Sequence, residues 1–386
     1  MPEAVNLVEV FFGEAVVGQL AMGPDRKSVF EYDAAWLEGG FSISPFFLPL
    51  KSGLATARYE PFDGMFGVFY DSLPDGWGKL LLDRWLRKQG RDPGSISMLD
   101  RLSLVGRNGM GALSYEPDHS LEMEGEQRSL DFYAEEVEKV LADKETDALD
   151  ALLKTAGSSA GVRPKVMVEI DGKQWLVKFR ATNDPTDIGS VEYQFSLLAR
   201  EAGIDMPETR LFHEKYFGTR RFDIDGPGRL HVHSAAGLLY ASYRYPSLDY
   251  SGLINATYAL TRDIGEVEKM FRLMVFNVVI GNRDDHARNF SFVYTGRTGK
   301  GGTAAEAASS GGGPREGTWK LSPAYDLLPS EGFGGQHTTT VNGKGHPTMK
   351  DCMEVARQTG FPEARAARVM EQVVEAVPEK LRVAGI

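Results

Sequence analysis

Residues 271–294 read FRLMVFNVVIGNRDDHARNFSFVY, and this stretch decides the fold. Phe271–Ile280 is apolar apart from Arg272 and Asn277. That suits a buried helix and falls far short of the roughly 20 residues that cross a bilayer. Gly281 punctuates it. The polar run that follows, to Asn289, has to sit where solvent or ligand reaches it. Within it Asp284 and Asn289 are five positions apart. Phosphoryl-transfer sites use that spacing for a hydroxyl-orienting Asp and a metal-binding Asn, with a second metal-binding Asp further on. Pro323-Ala324-Tyr325-Asp326 supplies that Asp. Asp285 has the wrong offset, so Asp285→Asn is expected to be milder than Asp284→Asn. A polar turn between helix and strand is the alternative, because Asp and Asn are common turn formers.

Downstream, the strand-like runs Asn289–Tyr294 and Thr318–Leu321 bracket Gly296–Gly317, which has no large apolar residue and is expected to be a disordered loop. Pro362–Leu381 is expected to be a helix opened by proline. Upstream, Lys165–Ile170 and Gln174–Arg180 flank Asp171-Gly172, a hairpin pair. The second run carries Lys178 among apolar neighbours, and Glu192 opens the expected helix Val191–Ala202. A strand lysine braced by a helix glutamate is how a kinase holds nucleotide phosphates; a solvated edge lysine and a first-turn acid are the plain alternative. Ser158–Lys165 is a small-residue loop with Arg163 and Lys165, suited to phosphate or to a simple linker. His231 and His233 share a strand face, and with His213 and His286 they suggest a rival metal-hydrolase site, although no H-E-x-x-H or cysteine pair supports it. Strands are also expected at Glu208–Phe212 and Leu230–His233.

The first third reads as strands Asn6–Phe12 and Ala15–Leu20 around Gly13-Glu14, then a helix over Phe66–Arg87 interrupted by Pro74 and Gly76. The polar, acidic Pro117–Glu126 marks a boundary, and Ser129–Leu153 reads as helix. The chain has 386 residues, room for two or three domains. A net charge of −11 argues against a nucleic-acid binder. One cysteine, Cys352, permits no internal disulfide. The N-terminus lacks the basic segment of a signal peptide. A cytoplasmic, non-membrane enzyme is the simplest expectation.

Taken together, these segments resemble the HipA family of bacterial toxin kinases. The resemblance runs from Phe62-Asp63-Gly64 through Phe69–Gly76, Gly106-Arg107 and Gly109–Leu113 to Ser158–Lys165, Lys178, Arg221-Phe222-Asp223, Arg229-Leu230-His231, Gly281–Ser291 and Ser322–Leu328. It implies an α+β chain with a two-lobed protein-kinase-like fold related to phosphoinositide 3/4-kinases. The implied division is an N-terminal α+β domain at 1–120, a kinase N-lobe at 121–236 and a helical C-lobe at 237–386.

The resemblance also implies site roles. Ala160, Gly161, Val162, Arg163, Pro164 and Lys165 would lie over the phosphates of ATP, with Lys178 reaching them. His233, Ser234 and Ala235 would form the hinge at the adenine. Asp284 would be catalytic. His286, Ala287, Arg288 and Asn289 would contact nucleotide and metal, with Asn289 and Asp326 as Mg²⁺ ligands and Tyr325 beside Asp326. Ser158 matches the family's autophosphorylated serine, with Ser159 as the adjacent alternative. Family hinges often carry acidic or bulky residues, and Asp285 stands where a small residue is common. The implied activity is serine/threonine protein phosphorylation, on a translation protein such as an aminoacyl-tRNA synthetase. A small helix-turn-helix antitoxin would be a partner, and DNA would be met only through it. Small-molecule kinase and catalytically idle co-repressor are the other readings.

Overall fold

The computed structural model describes residues 4–121, 128–158, 161–226, 228–296 and 317–383. They fall into two compact units. The first takes in residues 1–190, 210–232 and 296–317, the second 191–209, 233–295 and 318–386.

In the first unit the opening hairpin forms as the alternation predicts: β1 (Leu7–Phe12) and β2 (Ala15–Met22) pair antiparallel around Gly13 at φ 64°. With β3 (Ser28–Tyr32), β4 (Ala55–Thr56) and β5 (Leu113–Glu116) they make a five-stranded sheet, ordered β4-β3-β2-β1-β5. The helix expected over Phe66–Arg87 is two helices, Gly67–Tyr70 and Gly76–Lys88. Pro74, which lacks an amide proton, lies in the break. The second helix buries Trp77, Leu81, Leu82, Trp85 and Leu86, one face at helical spacing.

Those five side chains share a core with Val137, Val140, Leu152, Val166, Val168, Trp175 and Val177. The first third therefore does not close its own core. Ser129–Leu153 also divides, into Leu130–Leu141 and Leu149–Ala156. Asp143 turns left-handed at φ 55°, and the Thr146 hydroxyl donates to Glu136 while accepting the Ala148 amide.

Asp171 and Gly172, at φ 54° and 69°, make the expected two-residue turn between β6 (Lys165–Ile170) and β7 (Lys173–Lys178). These strands pair with β8 (Thr209–Phe212) and β9 (Tyr216–Arg220) in the order β6-β7-β9-β8. Strand β9 escaped the sequence reading because Gly218 interrupts its pattern. A Cβ there would come 2.4 Å from the Phe212 ring, which packs edge-on against Trp175 at 5.2 Å. Nearby, the buried Asp223 accepts from Arg221 Nε at 3.0 Å, Arg221 NH2 at 2.6 Å and the Gly111 amide at 2.8 Å. Arg229 donates to the carbonyls of Arg107 and Gly109 at 2.9 and 3.0 Å.

The second unit is mainly helical. Ile264–Ile280 starts at Asp263, whose carboxylate accepts from the Gly265 amide, and ends at Gly281 with φ 69°. It is buried almost all round from Met270 onward, as its composition requires. Ser291–Tyr294 and Trp319–Leu321 pair antiparallel, Phe292 opposite Leu321. The expectation for Gly296–Gly317 falls almost wholly outside the described residues. At the C-terminus the expected helix is Glu363–Ala376, with a short 3-10 turn at Glu379–Leu381 beyond Pro378. The sequence reading did not anticipate helix Met349–Thr359, which opens with a capping box of Thr348 and Asp351. Among the described residues no helix is long and apolar enough to cross a membrane.

Burial pushes the Asp223 carboxyl up, but the Arg221 hydrogen bonds and charge pull it below its ordinary range. Its contribution to stability is then present above the unfolded carboxylate pKa of ~3.9 and is lost as pH falls through the lower folded value. Arg221→Met should destabilise the full chain by about 3–5 kcal/mol at neutral pH, because it strands a buried charge. Denaturant titration checks this. Arg221→Met combined with Asp223→Leu should recover most of the loss, and the single variant's deficit should shrink on acidification below about pH 4.

Candidate functional site

The polar run after helix Ile264–Ile280 folds into a closed loop. Gly281 leaves the helix left-handed, and the Asn282 amide returns to Asn277 O at 2.9 Å. Asp284 is exposed, yet its backbone is fixed on both sides. Its amide donates to Ser330 Oγ at 2.8 Å, and its carbonyl accepts from Asn289 Nδ2 at 2.6 Å. The five-residue spacing is thus a direct hydrogen bond. It uses the side-chain amide nitrogen of Asn289.

Asp326 sits at φ 59°, and its carbonyl accepts from Asn282 Nδ2 at 3.2 Å. Tyr325 OH donates to Arg288 O at 2.8 Å and lies 2.6 Å from Ser291 Oγ. The buried Arg288 guanidinium stacks 4.2 Å over the Tyr243 ring, and Ala287 is buried too. His286 Nδ1 is buried and has no hydrogen-bond partner among the described residues. At the expected hinge, His233 is buried, Ser234 Oγ accepts the Gly237 amide at 3.0 Å, and the Ala235 amide donates to Phe290 O at 2.8 Å. That amide is therefore committed within the protein. The second unit brings Asp284, His286–Asn289, Tyr325, Asp326 and the hinge residues into one connected patch.

Asp285 behaves differently from the sequence expectation. It is fully buried. Its Oδ2 accepts from Tyr250 OH at 2.9 Å and His337 Nδ1 at 2.8 Å, and its Oδ1 accepts the amides of Thr338 at 2.9 Å and Thr339 at 3.2 Å. Burial, and then the Asp285 charge, push the Tyr250 hydroxyl well above its ordinary pKa. Replacing a carboxylate satisfied this way unsettles its donors, so Asp285→Asn carries a cost of its own beside that of Asp284→Asn.

The first unit holds the other expected residues. Lys165 and Lys178 lie directly opposite each other on β6 and β7, so both side chains share one sheet face, and both are buried. Lys178 Nζ is 5.7 Å from the centre of the Phe217 ring. In the loop, Ser158 is buried and its hydroxyl accepts the Met110 amide at 2.9 Å. The Gly161 carbonyl accepts the Trp77 amide at 3.0 Å, and the Pro164 carbonyl accepts the Phe179 amide at 2.8 Å. Val162 is exposed. Arg163 makes a two-point bond to Asp184 at 3.0 and 3.2 Å, so its charge is already paired. Ala160 and Ser159 lie outside the described residues. Glu192 is buried, on the part of helix Ile188–Glu201 that belongs to the second unit.

The rival histidine constellation does not form. His231 Nε2 bonds Ile43 O at 2.8 Å, and His213 pairs with Asp131 at 3.1 Å. Among the described residues no group of three or more His, Cys, Asp or Glu could hold a metal ion. The oxygens of Asn289 and Asp326 are the hard donors Mg²⁺ takes, and Mg²⁺ sites commonly use only one or two protein carboxylates beside substrate phosphates. Two strand lysines beside a loop that contains Gly161 suit phosphate oxygens.

Two family descriptions match the chain: HipA N-terminal domain over residues 8–116, and HipA-like C-terminal domain over residues 157–381. Y4dM of Sinorhizobium fredii, provisionally named a kinase, is 24% identical over 378 residues, covering 89% of this chain and 81% of that protein. The serine/threonine-protein kinase toxin HipA of Shewanella oneidensis is 24% identical over 324 residues, covering 75% of this chain and 71% of that protein. A solved complex of HipA, HipB and operator DNA from Shewanella oneidensis MR-1 matches with a TM-score of 0.69 at 19% identity, covering 97% of this chain and 89% of that chain. That likeness shows the fold.

The contacts that hold the loop came from no local signal. Gly76 has φ 46°, and a Cβ on it would lie 2.3 Å from Gly161 O. Gly76→Ala should cost at least about 1–2 kcal/mol for the left-handed backbone and push the loop off its seat. Hydrogen exchange should then quicken at Gly161–Arg163; unchanged protection there counts against the seating.

Proposed function

The chain belongs to the HipA-like family, and from that premise we propose that it is an ATP-dependent serine/threonine protein kinase. The observation that carries the reading is the Asp284–Asn289 hydrogen bond in a loop that also ties down Asp326. Asp284, exposed on a fixed backbone, takes the proton of a serine or threonine hydroxyl as that oxygen attacks the γ-phosphorus and ADP departs. Lys178 and Lys165 hold phosphate oxygens, and Asn289 and Asp326 hold the metal. Mg²⁺, when bound, neutralises charge on the phosphates. The reading includes a protein-kinase-like fold related to phosphoinositide 3/4-kinases and a cytoplasmic protein substrate. Loop 158–165 and the residues His233–Ala235 serve the nucleotide.

A helix-turn-helix antitoxin is the proposed partner, supported by the match to a HipA–HipB–DNA complex. DNA would then be reached through that partner. A small-molecule kinase would use the same residues. A catalytically idle co-repressor has no need for an Asp284 so firmly set.

Labelled phosphate transfer from Mg²⁺-ATP tests the reading. Asp284→Asn should keep the fold, since the residue is exposed and the shape of its side chain is unchanged, and should lose about 10²–10⁴-fold in turnover. A variant as active as the wild type would remove Asp284 from the catalytic role. Self-phosphorylation is proposed at Ser158. A phosphate carries about −1.5 to −2 charge and has no place where the buried hydroxyl accepts the Met110 amide. The loop must leave its seat, and activity should fall. Mass spectrometry of peptide Thr155–Lys165 after incubation with Mg²⁺-ATP should show one phosphate at Ser158, absent in Asp284→Asn. An unmodified peptide with undiminished activity would end the regulatory claim.

A further inference from the structure

Asp285 is the residue that neither the spacing argument nor the proposed chemistry uses, yet its side chain is fully buried and bonded on both oxygens. Its carboxylate accepts four hydrogen bonds while fully buried. Three come from the segment His337–Thr339, and one from the first residue of helix Tyr250–Thr261. The same segment grips the backbone on either side of Asp284. Thr339 Oγ1 donates to Asp285 O at 2.5 Å, and Thr338 donates to Arg283 O through its amide at 3.1 Å and its hydroxyl at 3.0 Å. Residues 283 and 285 are thus clamped to one strip of chain, and Asp284 is carried between them.

The network runs on from Tyr250. Asn277 Nδ2 donates to Tyr250 OH at 2.9 Å, Asn282 Nδ2 donates to Asn277 Oδ1 at 3.1 Å, and the same Asn282 nitrogen reaches Asp326 O at 3.2 Å. Tyr250, Asn277 and Asn282 are all buried. One continuous chain of hydrogen bonds therefore joins Asp285 to the backbone of Asp326. Buried networks of this kind hold a single geometry when every member is satisfied.

We propose that Asp285 is a positioning residue: through Tyr250, Asn277 and Asn282 on one side and His337–Thr339 on the other, it fixes Asp284 relative to Asp326. The proposal rests on the kinase reading above and deepens it. The negative charge is the working feature. A carboxylate accepts on both oxygens and donates nothing. An amide in its place keeps one acceptor, for the two Thr amides that cannot reverse, and turns an NH₂ toward Tyr250 OH and His337 Nδ1. Tyr250 OH can accept from that NH₂, but its own proton then loses the acceptor it has in Asp285, so the link is reversed and weakened while side-chain volume is nearly unchanged.

The test uses the full chain, with release of ADP from Mg²⁺-ATP as the readout. Misplacement of a catalytic group by about 1 Å costs on the order of 100-fold, so Asp285→Asn should lower kcat about 100-fold. KM for ATP should stay within about threefold, since ground-state binding is not what the network sets. The Mg²⁺ concentration for half-maximal rate should rise. Tyr250→Phe should lower kcat about tenfold, and Asp285→Asn with Tyr250→Phe should be no worse than Asp285→Asn alone, because both break one unit. Unchanged kcat in Asp285→Asn overturns the proposal. So do parallel, additive losses in kcat, KM and melting temperature, which mark a merely structural role. If Asp285→Asn fails to fold, the kcat and KM split in Tyr250→Phe decides the matter alone. Absence of turnover in the wild type would fell the kinase reading and this proposal with it. An active wild type with unaffected variants would sink this proposal only.

Discussion

A charge removed from water has to be met by donors or by an opposite charge, or the fold does not tolerate it. Among the described residues several charged side chains are buried, and two carboxylates, Asp223 and Asp285, are buried completely, one in each compact unit. Each gathers partners distant in sequence. Asp223 draws in Arg221 and the Gly111 amide, more than a hundred residues apart. Asp285 draws in Tyr250 and the His337–Thr339 segment. Neither segment could shift without exposing the carboxylate or stranding it. In each unit, segments distant in sequence thus converge on one buried acid. In each case the ordered chain borders residues assigned to chemistry: Gly109–Gly111 beside Ser158, and Arg283–Asp285 around Asp284.

What the sequence made legible was local. The hairpin at Asp171-Gly172 follows from two adjacent residues tolerant of positive φ, and both adopt it. Helix Ile264–Ile280 follows from an apolar run bounded by Asp263 and Gly281. The spacing of Asp284 and Asn289 became a hydrogen bond because five residues of tight loop return the chain on itself. Family membership, too, was legible from ordered motifs spread along the chain.

What stayed hidden depends on partners far along the chain. Gly218 reads as a strand breaker until Phe212 is seen packed on it. Ser129–Leu153 has helical periodicity throughout, and only the Thr146–Glu136 bond and the turn at Asp143 show the break. Asp285 looked like a turn acid because its donors lie far along the chain, Tyr250 upstream and His337–Thr339 some fifty residues downstream. The run His337-Thr338-Thr339-Thr340 was a signal in hindsight, since four consecutive donors seldom gather without an acceptor to serve. Arg163 looked available for phosphate, and Asp184 had already taken it.

The core that Trp77, Leu81, Leu82, Trp85 and Leu86 share with Val166, Val168, Trp175 and Val177 also bears on how such a gene can change over time. A recombination junction in the polar stretch 117–126 looks harmless in the sequence, because that stretch is polar and acidic. It would nevertheless pair one half of a jigsaw with a foreign complement. Voids or overlaps on the order of a methyl group already cost about 1 kcal/mol each. Domain shuffling is therefore closed to this lineage at its most obvious seam. The two parts are inherited as one, and substitutions on the Gly76–Lys88 face should track those on β6 and β7 across its descendants.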